Sequence, residues 1–567
     1  MGPPWQSLPA LLVLVAGLLA RLGQAWAYFL DPDEALHTLL ASYNSFSLTY
    51  QATLTTAHPP LLIFLLHYWR WLGQSELMLR LPSVVAGTAG CWLAYLWLSR
   101  VSDRSTAFLG LLLFAFSPAL VELSAQVRQY ALLIFFMAAG LYCAERALQE
   151  SSLSFMNLFS LSLCGSLLVH YSALLFAFSM GVYVLIRLFP WRRRASLFAA
   201  WAAGQVVAGA LVAYFLLVHV SRLRQVGMPQ GIAGTWLRKS FYHAGESSLL
   251  LFPARQTLRV FTYLFSHGLV GTLALLVFLA GMIVLLRRGS PRAECPNAGE
   301  LATLLVLPFV VNCALAIAGL YPYGGTRHNV YLSFFAILGI SRGLALWKPT
   351  RIEWRTLVVI LCLAVCNLFP APPPLIRARN HKRDLMNKAV AFLRSSAPPG
   401  SILFTDYQSG LLLGYYACGH GVVQVFFPLE PFTQARCGPY TIITALPESQ
   451  KWEFRAGEFA DQLAGAAQKY GIAPGTSVWL FEAGWRTDSA AAVTTELSRL
   501  GCAAPRRFGD NILVCPVTVA NRDQRQHAAR IEVRLYRETL IESRKNESRF
   551  LDFAELPEIR AIPLRSE

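Results

Sequence analysis

The sequence predicts a polytopic α-helical membrane protein with a C-terminal extracytoplasmic α/β domain. Three observations carry this prediction. Hydrophobic residues make up 55% of the 567-residue chain and charged residues only 14%, whereas soluble proteins carry about a quarter charged residues. Long apolar runs recur through the first two thirds, and the composition turns polar after Phe369. A chain with mean hydropathy +0.44 cannot hide all its apolar side chains in one water-soluble core, so lipid must cover many of them.

The runs lie at 8–30, 81–99, 106–121, 130–144, 155–170, 172–189, 196–219, 263–286, 301–320, 329–346 and 355–370. They give about eleven candidate spans, on a requirement of roughly 20 apolar residues each. The first has no preceding positive charge and is long enough to cross, so it reads as a span and not a signal peptide. The segment Pro59–Gly73 is shorter, opens with Pro-Pro and contains His67 and Arg70. It reads as a helix lying in the interface.

The formal charge of +17 sits largely in short loops, which points to a topology signal and not to a nucleic-acid partner. With the N-terminus in the cytoplasm, the inside connections carry Arg100 and Arg104; Arg146; Arg187 and Arg192–Arg194; Arg287, Arg288 and Arg292; and Arg342, Lys348, Arg351 and Arg355. An odd number of spans then places the C-terminal region outside. Pro370–Pro374 is a stiff linker. Residues 1–370 are therefore read as the membrane domain, 371–520 as the α/β domain and 521–567 as a charged tail. Helical spacing over Asp384–Ser395 and strand-like runs at Gly400–Phe404, Ser477–Phe481 and Asn511–Cys515 support the α/β reading. Cys418, Cys437, Cys502 and Cys515 lie in this region; in an oxidising compartment they form one or two disulfides of unassigned connectivity.

In this orientation five polar features share one membrane face: Asp31-Pro32-Asp33-Glu34, His58-Pro59-Pro60, Glu122 to Tyr130, His170-Tyr171, and Tyr321 to Asn329. Ionisable groups at the hydrocarbon edge are costly unless paired, hydrated or used. Each has a structural reading too. The Asp-Pro-Asp-Glu run suits a helix N-cap. A lone Arg128 snorkels, His170 is a satisfied core histidine, and Gly324-Gly325 is an ordinary turn.

The order and spacing of these features resemble the GT-C membrane glycosyltransferases, in the branch of the protein O-mannosyltransferases and the aminoarabinose transferase of lipid A. The matching motifs are the Asp33-Glu34 pair, His58-Pro59-Pro60-Leu61, Gly73-Gln74-Ser75-Glu76, Arg80-Leu81-Pro82-Ser83, Ser117-Pro118, Arg128-Gln129-Tyr130-Ala131-Leu132, His170-Tyr171 and Arg327-His328. The resemblance implies an inverting enzyme that takes a sugar from a polyprenyl-phosphate carrier in a bacterial inner membrane. Asp33 would be the general base, and Glu34 would orient it or bind the acceptor. Asp31, His58, Glu122, Arg128, Tyr130, His170, Tyr171, Arg327 and His328 would bind substrate. In the longer loop 220–262, Arg222, Arg224, Arg238 and Lys239 are further phosphate candidates.

Many bacterial relatives carry Ser-Gln-Glu-x-Arg where this chain has Ser124-Ala125-Gln126-Val127-Arg128. Gln126 thus replaces an acid, Glu122 lies one helical turn earlier, and a divalent metal is left open as cofactor. The expected partners are a polyprenyl-linked sugar, a glycan, lipid or protein acceptor, and membrane lipids, with no nucleic acid. A transporter or flippase is the alternative of another class, but its ionisable groups should gather at mid-membrane within paired repeats. A non-catalytic membrane scaffold is the third reading.

Overall fold

The computed structural model describes residues 8–54, 56–189, 194–225, 237–288, 296–346, 352–369, 382–419, 430–447, 452–455, 457–484, 493–494, 496–502 and 505–520. The Pro370–Pro374 linker and the charged tail lie outside them. Each of the eleven apolar runs corresponds to a helix. Six helices are long and apolar enough to cross a membrane alone: Leu8–Ala27, Glu76–Val101, Tyr130–Glu150, Ala195–Arg224, Gly268–Arg287 and Ala298–Ile317. A bent pair, Arg104–Phe116 followed by Pro118–Ser124, which meet at 57°, is a seventh candidate when the two count as one span. We label the first eight helices α1 (Leu8–Ala27), α2 (Pro32–Ala41), α3 (Phe46–Thr53), α4 (Leu61–Trp69), α5 (Glu76–Val101), α6 (Arg104–Phe116), α7 (Pro118–Ser124) and α8 (Tyr130–Glu150).

The bend between α6 and α7 follows from Pro118, which lacks an N–H and pushes Ser117 out of helical geometry. Ser117 has φ −58° and ψ 122°. The carbonyls freed by the break need donors, and in lipid an unpaired carbonyl is costly. Arg21, deep in α1, supplies them: its guanidinium donates to the carbonyls of Ala115 at 2.8 Å and Phe114 at 3.0 Å, and back to Gly17 of its own helix at 3.0 Å. The amide of Asn367 covers the Phe116 carbonyl at 2.9 Å.

Helices α2, α3 and α4 are short and lie between α1 and α5. At nine residues, α4 reaches only about 14 Å, far less than a bilayer. The stretch 220–262 departs from the expected simple loop, because an amphipathic helix, Leu251–Phe265, occupies its end.

The C-terminal α/β region is a six-stranded mixed sheet in the order β2-β3-β1-β4-β6-β5. Its strands are β1 (Ile402–Asp406), β2 (Phe432–Cys437), β3 (Tyr440–Ala445), β4 (Ser477–Ala483), β5 (Arg506–Phe508) and β6 (Ile512–Thr518). Strand β1 is central and parallel to both β3 and β4; the other pairings are antiparallel. Both cysteine pairs close, Cys418 with Cys437 and Cys502 with Cys515.

On the central strands β1 and β4, Asp406 and Glu482 are fully buried. Asp406 caps the helix Tyr407–Tyr416 by accepting the Ser409 N–H at 2.8 Å. Burial pushes the Asp406 carboxyl up to about 6, and burial together with the Asp406 charge pushes Glu482 well above the usual range. A folded pKa above the unfolded value means that the folded state holds more protons. Stability is then full at low pH and falls as pH rises from about 4 through the folded values. Glu482→Gln should therefore stabilise this region at pH 7.5 by on the order of 1–3 kcal/mol and flatten its pH dependence between about pH 5 and 8. Thermal unfolding at both pH values checks this.

Candidate active site

The site is built at the start of α2. Asp31 is its N-cap and accepts the Glu34 N–H at 2.9 Å, while the Glu34 carboxylate returns to the Asp31 N–H at 2.9 Å. This reciprocal capping box, with Pro32 in the first turn, fixes the entry angle of the helix. Along the turn, successive side chains diverge by about 100°, so Asp33 and Glu34 face different surroundings.

Glu34 points inward. Arg80 grips it with Nε and Nη2, each at 2.8 Å, and the Val127 N–H adds a bond at 2.7 Å. Arg80 also donates to the carbonyls of Ala25, Tyr28 and Phe29 at 2.7 to 3.0 Å, so one guanidinium ties the end of α1 to the start of α2. With four donors on its two oxygens, Glu34 is a structural anchor. The motif Arg80-Leu81-Pro82-Ser83 acts at both ends: Ser83 donates to the Arg128 carbonyl at 3.1 Å. His37 Nδ1 reaches the Val127 carbonyl at 3.0 Å, which completes the fixing of the Val127-Arg128 turn.

Asp33 points the other way, into the bundle end. Its Oδ2 meets Arg128 Nη1 at 2.6 Å and Arg327 Nη2 at 2.8 Å. Asp33 keeps 13% of its side chain exposed, Arg327 22% and Arg128 only 2%, so Arg128 does not snorkel. Arg128 lies over the Tyr130 ring at 5.6 Å, and its buried Nε has no hydrogen-bond partner. Burial pushes the Asp33 carboxyl up, but Arg128 and Arg327 outweigh it and hold the group below the usual carboxylate range.

A file of rings flanks this centre. Ring centroids of His37 and His58 are 5.9 Å apart, His58 and His170 5.7 Å, His170 and His328 6.2 Å, and Tyr130 and His170 5.5 Å. Burial and then Arg128 hold His58 well below the usual histidine range; burial and then Arg327 do the same for His328. Both rings are therefore uncharged at neutral pH. His170 Nδ1 accepts the Ser172 N–H at 3.1 Å and pairs with its hydroxyl at 2.7 Å, as a satisfied buried histidine should. The Tyr171 hydroxyl is buried without a hydrogen-bond partner, and its ring meets Phe215 edge-on at 6.1 Å.

Arg327 is placed by its turn. Gly324 has φ +134°, and a Cβ on Gly325 would sit 2.4 Å from the Arg259 carbonyl oxygen. The turn can therefore lie against the helix Leu251–Phe265 only with these glycines. Tyr323 pins it further, with its N–H on the Ser240 carbonyl at 2.8 Å and its hydroxyl on Thr257 at 2.5 Å. Gly325→Ala should push Arg327 off Asp33 and cut activity about 10- to 100-fold, as displacements of roughly 1 Å at a site do. A transfer assay on a variant that still purifies as a folded monodisperse species checks this.

Glu122 sits apart from Asp33. It accepts a bond from Gln126 at 3.4 Å and, with Gln24, Tyr28, Phe29, Glu34 and Arg80, lines a small cleft of about 30 Å³. Among the described residues no three His, Cys, Asp or Glu side chains are arranged to hold a metal ion. With Asp33 facing arginines and Glu34 held by Arg80, the side chains present do not fit a divalent metal, and no step is assigned to one.

The C-terminal region reaches the site from behind, which no motif announced. The helix Tyr407–Tyr416 packs on α2. The Tyr416 hydroxyl accepts the Leu30 N–H at 2.8 Å and donates to Glu76, and Glu76 also pairs with Arg383 at 2.6 Å. Tyr415 donates to the Gln74 carbonyl at 2.7 Å. The Gly73-Gln74-Ser75-Glu76 motif is thus a docking edge for this region.

Residues 57–218 match the sequence model of a family described as dolichyl-phosphate-mannose-protein mannosyltransferase. Among solved structures, ArnT from Cupriavidus metallidurans bound to undecaprenyl phosphate is similar at 14% identity and a TM-score of 0.51, over 91% of this chain and 99% of that one. Its apo state is similar at 14% identity and 0.51, over 90% and 98%. The oligosaccharyltransferase AglB from Archaeoglobus fulgidus is more distant, at 11% identity and 0.45, over 83% and 69%. No curated protein matches the chain in sequence. The fold is that of the GT-C membrane glycosyltransferases, and the family match covers the ordered motifs that lie between residues 57 and 218.

Proposed function

We propose that this protein is an inverting glycosyltransferase that moves a sugar from a polyprenyl-phosphate donor to an acceptor hydroxyl on the outer face of the membrane. The single observation that carries the reading is one accessible carboxylate, Asp33, held between two arginines at one end of the helical bundle. An acceptor hydroxyl is a poor nucleophile at neutral pH, and a carboxylate within hydrogen-bond reach takes its proton as attack proceeds. The leaving phosphate gains negative charge, and guanidinium donors lower the barrier by meeting it as it forms. Asp31 is used as a cap and Glu34 is saturated, so a second carboxylate for a covalent intermediate is not at hand. A single displacement inverts the anomeric centre.

The uncharged rings of His58, His170 and His328, with Tyr130 and Tyr171, offer hydrogen-bonding faces for sugar hydroxyls. The positive charges of the short connections support a cytoplasmic N-terminus and an outward-facing site and C-terminal domain. The acceptor is a glycan, a lipid or a protein, and the surroundings of Asp33 set no preference among them. The test is donor class. Membranes carrying the protein should move label from a polyprenyl-phosphate-linked sugar and not from the corresponding nucleotide sugar. Direct use of the nucleotide sugar, with lipid-linked sugars inert, would refute the reading.

A further inference from the structure

The base assigned above is poorly suited to its task as it stands. Two guanidiniums converge on a single oxygen of Asp33, at 2.6 and 2.8 Å. A carboxylate held this way is stabilised as an anion and is a weak proton acceptor. The groups that face it are Arg128, Arg327, Asp31 and His37. His37 adds little charge, since burial and then Arg128 hold it down at about 4. The two arginines therefore dominate.

They are not held equally. Arg128 is 2% exposed and rides on a turn stitched to α2 and α5 by Glu34, His37 and Ser83. Arg327 is 22% exposed and belongs to a single 3₁₀ turn, Arg327–Asn329, that follows the two glycines. Arg327 is thus the more exposed of the two and sits on the shorter element.

We propose that Arg327 is a displaceable lock on Asp33: the phosphate of the donor takes this guanidinium, and the carboxylate becomes free to accept a proton only once that phosphate is in place. The inference rests on the glycosyltransferase reading and adds an order of events to it. A phosphate offers a guanidinium two in-plane acceptors, against the one oxygen that Arg327 shares with Arg128 on Asp33. The buried, unpartnered Nε of Arg128 is a further donor beside it.

The chemistry then couples to the lock. The acceptor oxygen bonds to the anomeric carbon as the bond from that carbon to the phosphate oxygen breaks. The electron pair of the broken bond stays on the phosphate, which gains a second negative charge and draws Arg327 more strongly. The acceptor's proton passes to Asp33, whose basicity rises as Arg327 leaves. An empty site thus holds no active base, and donor binding precedes acceptor activation.

The test uses the full chain in lipid nanodiscs. Carbodiimide with an amine tag modifies protonated carboxyls, and Asp33 is exposed enough to be reached. Peptide mapping across a pH series gives the midpoint for Asp33 with and without undecaprenyl phosphate as the probe. The lipid should raise the wild-type midpoint by about one pH unit. Arg327→Gln should show a similar rise with no lipid present. A wild-type midpoint that stays put or falls while the lipid binds, as judged by a thermal shift, overturns the lock. So does absence of lipid binding, and so does a wild-type midpoint in ligand-free Arg327→Gln. The wild-type curves need no variant to fold. The labelling needs no sugar transfer, so its failure is separate from that of the enzyme reading, which falls if Asp33→Asn still transfers sugar.

Discussion

Asp33→Asn is expected to lower sugar transfer by about 10²- to 10⁴-fold, the range that a positioned general base contributes. The substitution keeps shape and an oxygen that Arg128 and Arg327 can still donate to, but it removes the proton acceptor. Loss of the charge leaves buried Arg128 less well compensated. Its contact with the Tyr130 hydroxyl at 3.4 Å and the Tyr130 ring remain. A stability loss of about 1–3 kcal/mol follows from weakening its charged hydrogen bonds to Arg128 and Arg327 without deleting them, so the variant should fold and insert. Transfer measured on purified wild-type and variant protein at equal folded concentration checks the claim. Full activity in the variant would remove Asp33 from the mechanism.

Arg80→Ala is expected to be the most destabilising single change at the site. It leaves Glu34 buried with only the Asp31 and Val127 amides, and it strips donors from the carbonyls of Ala25, Tyr28 and Phe29. Breaking a buried ion pair from one side costs about 3–5 kcal/mol, because the surviving charge has no partner. The midpoint of thermal unfolding should fall well below the wild type's. A variant that removes both charges together, Arg80→Met with Glu34→Leu, should recover part of the stability and none of the activity, since the entry angle of α2 is lost. An unchanged unfolding midpoint in Arg80→Ala would show that the junction of α1 and α2 is held by something else.

Much of the bundle was legible because a membrane helix announces itself in composition. Its apolar run needs no partner to be seen, and each of the eleven runs corresponds to a helix. The candidate site was legible for the opposite reason. Polar groups at the hydrocarbon edge stand out against their surroundings, and Asp33, Arg128, Arg327, His58 and His170 do converge at one end. Interactions that join distant parts of the chain were not legible. Nothing in Asp33-Glu34 tells that one residue faces two arginines and the next is locked by Arg80, because a side chain's direction depends on how α2 leaves α1.

Arg21 belongs to no motif, yet it covers carbonyls that Pro118, far along the chain, sets free. The docking of Tyr416 on Leu30 joins residues 386 positions apart and has no periodic or spacing signal. In the C-terminal region, β1, β4 and β6 were visible as apolar runs. The edge strand β2 alternates weakly in burial and was not. Four cysteines allow three pairings, and the folded region brings together Cys418 with Cys437 and Cys502 with Cys515.

The most direct test is mass spectrometry of polyprenyl-linked sugars and surface glycans in cells that carry either the native protein or Asp33→Asn. One carrier-linked sugar should accumulate in the variant, and one glycan, lipid or protein should lose that same sugar. Identical profiles in the two strains, with both proteins present at equal levels in the membrane, would contradict the assignment of Asp33 to sugar transfer.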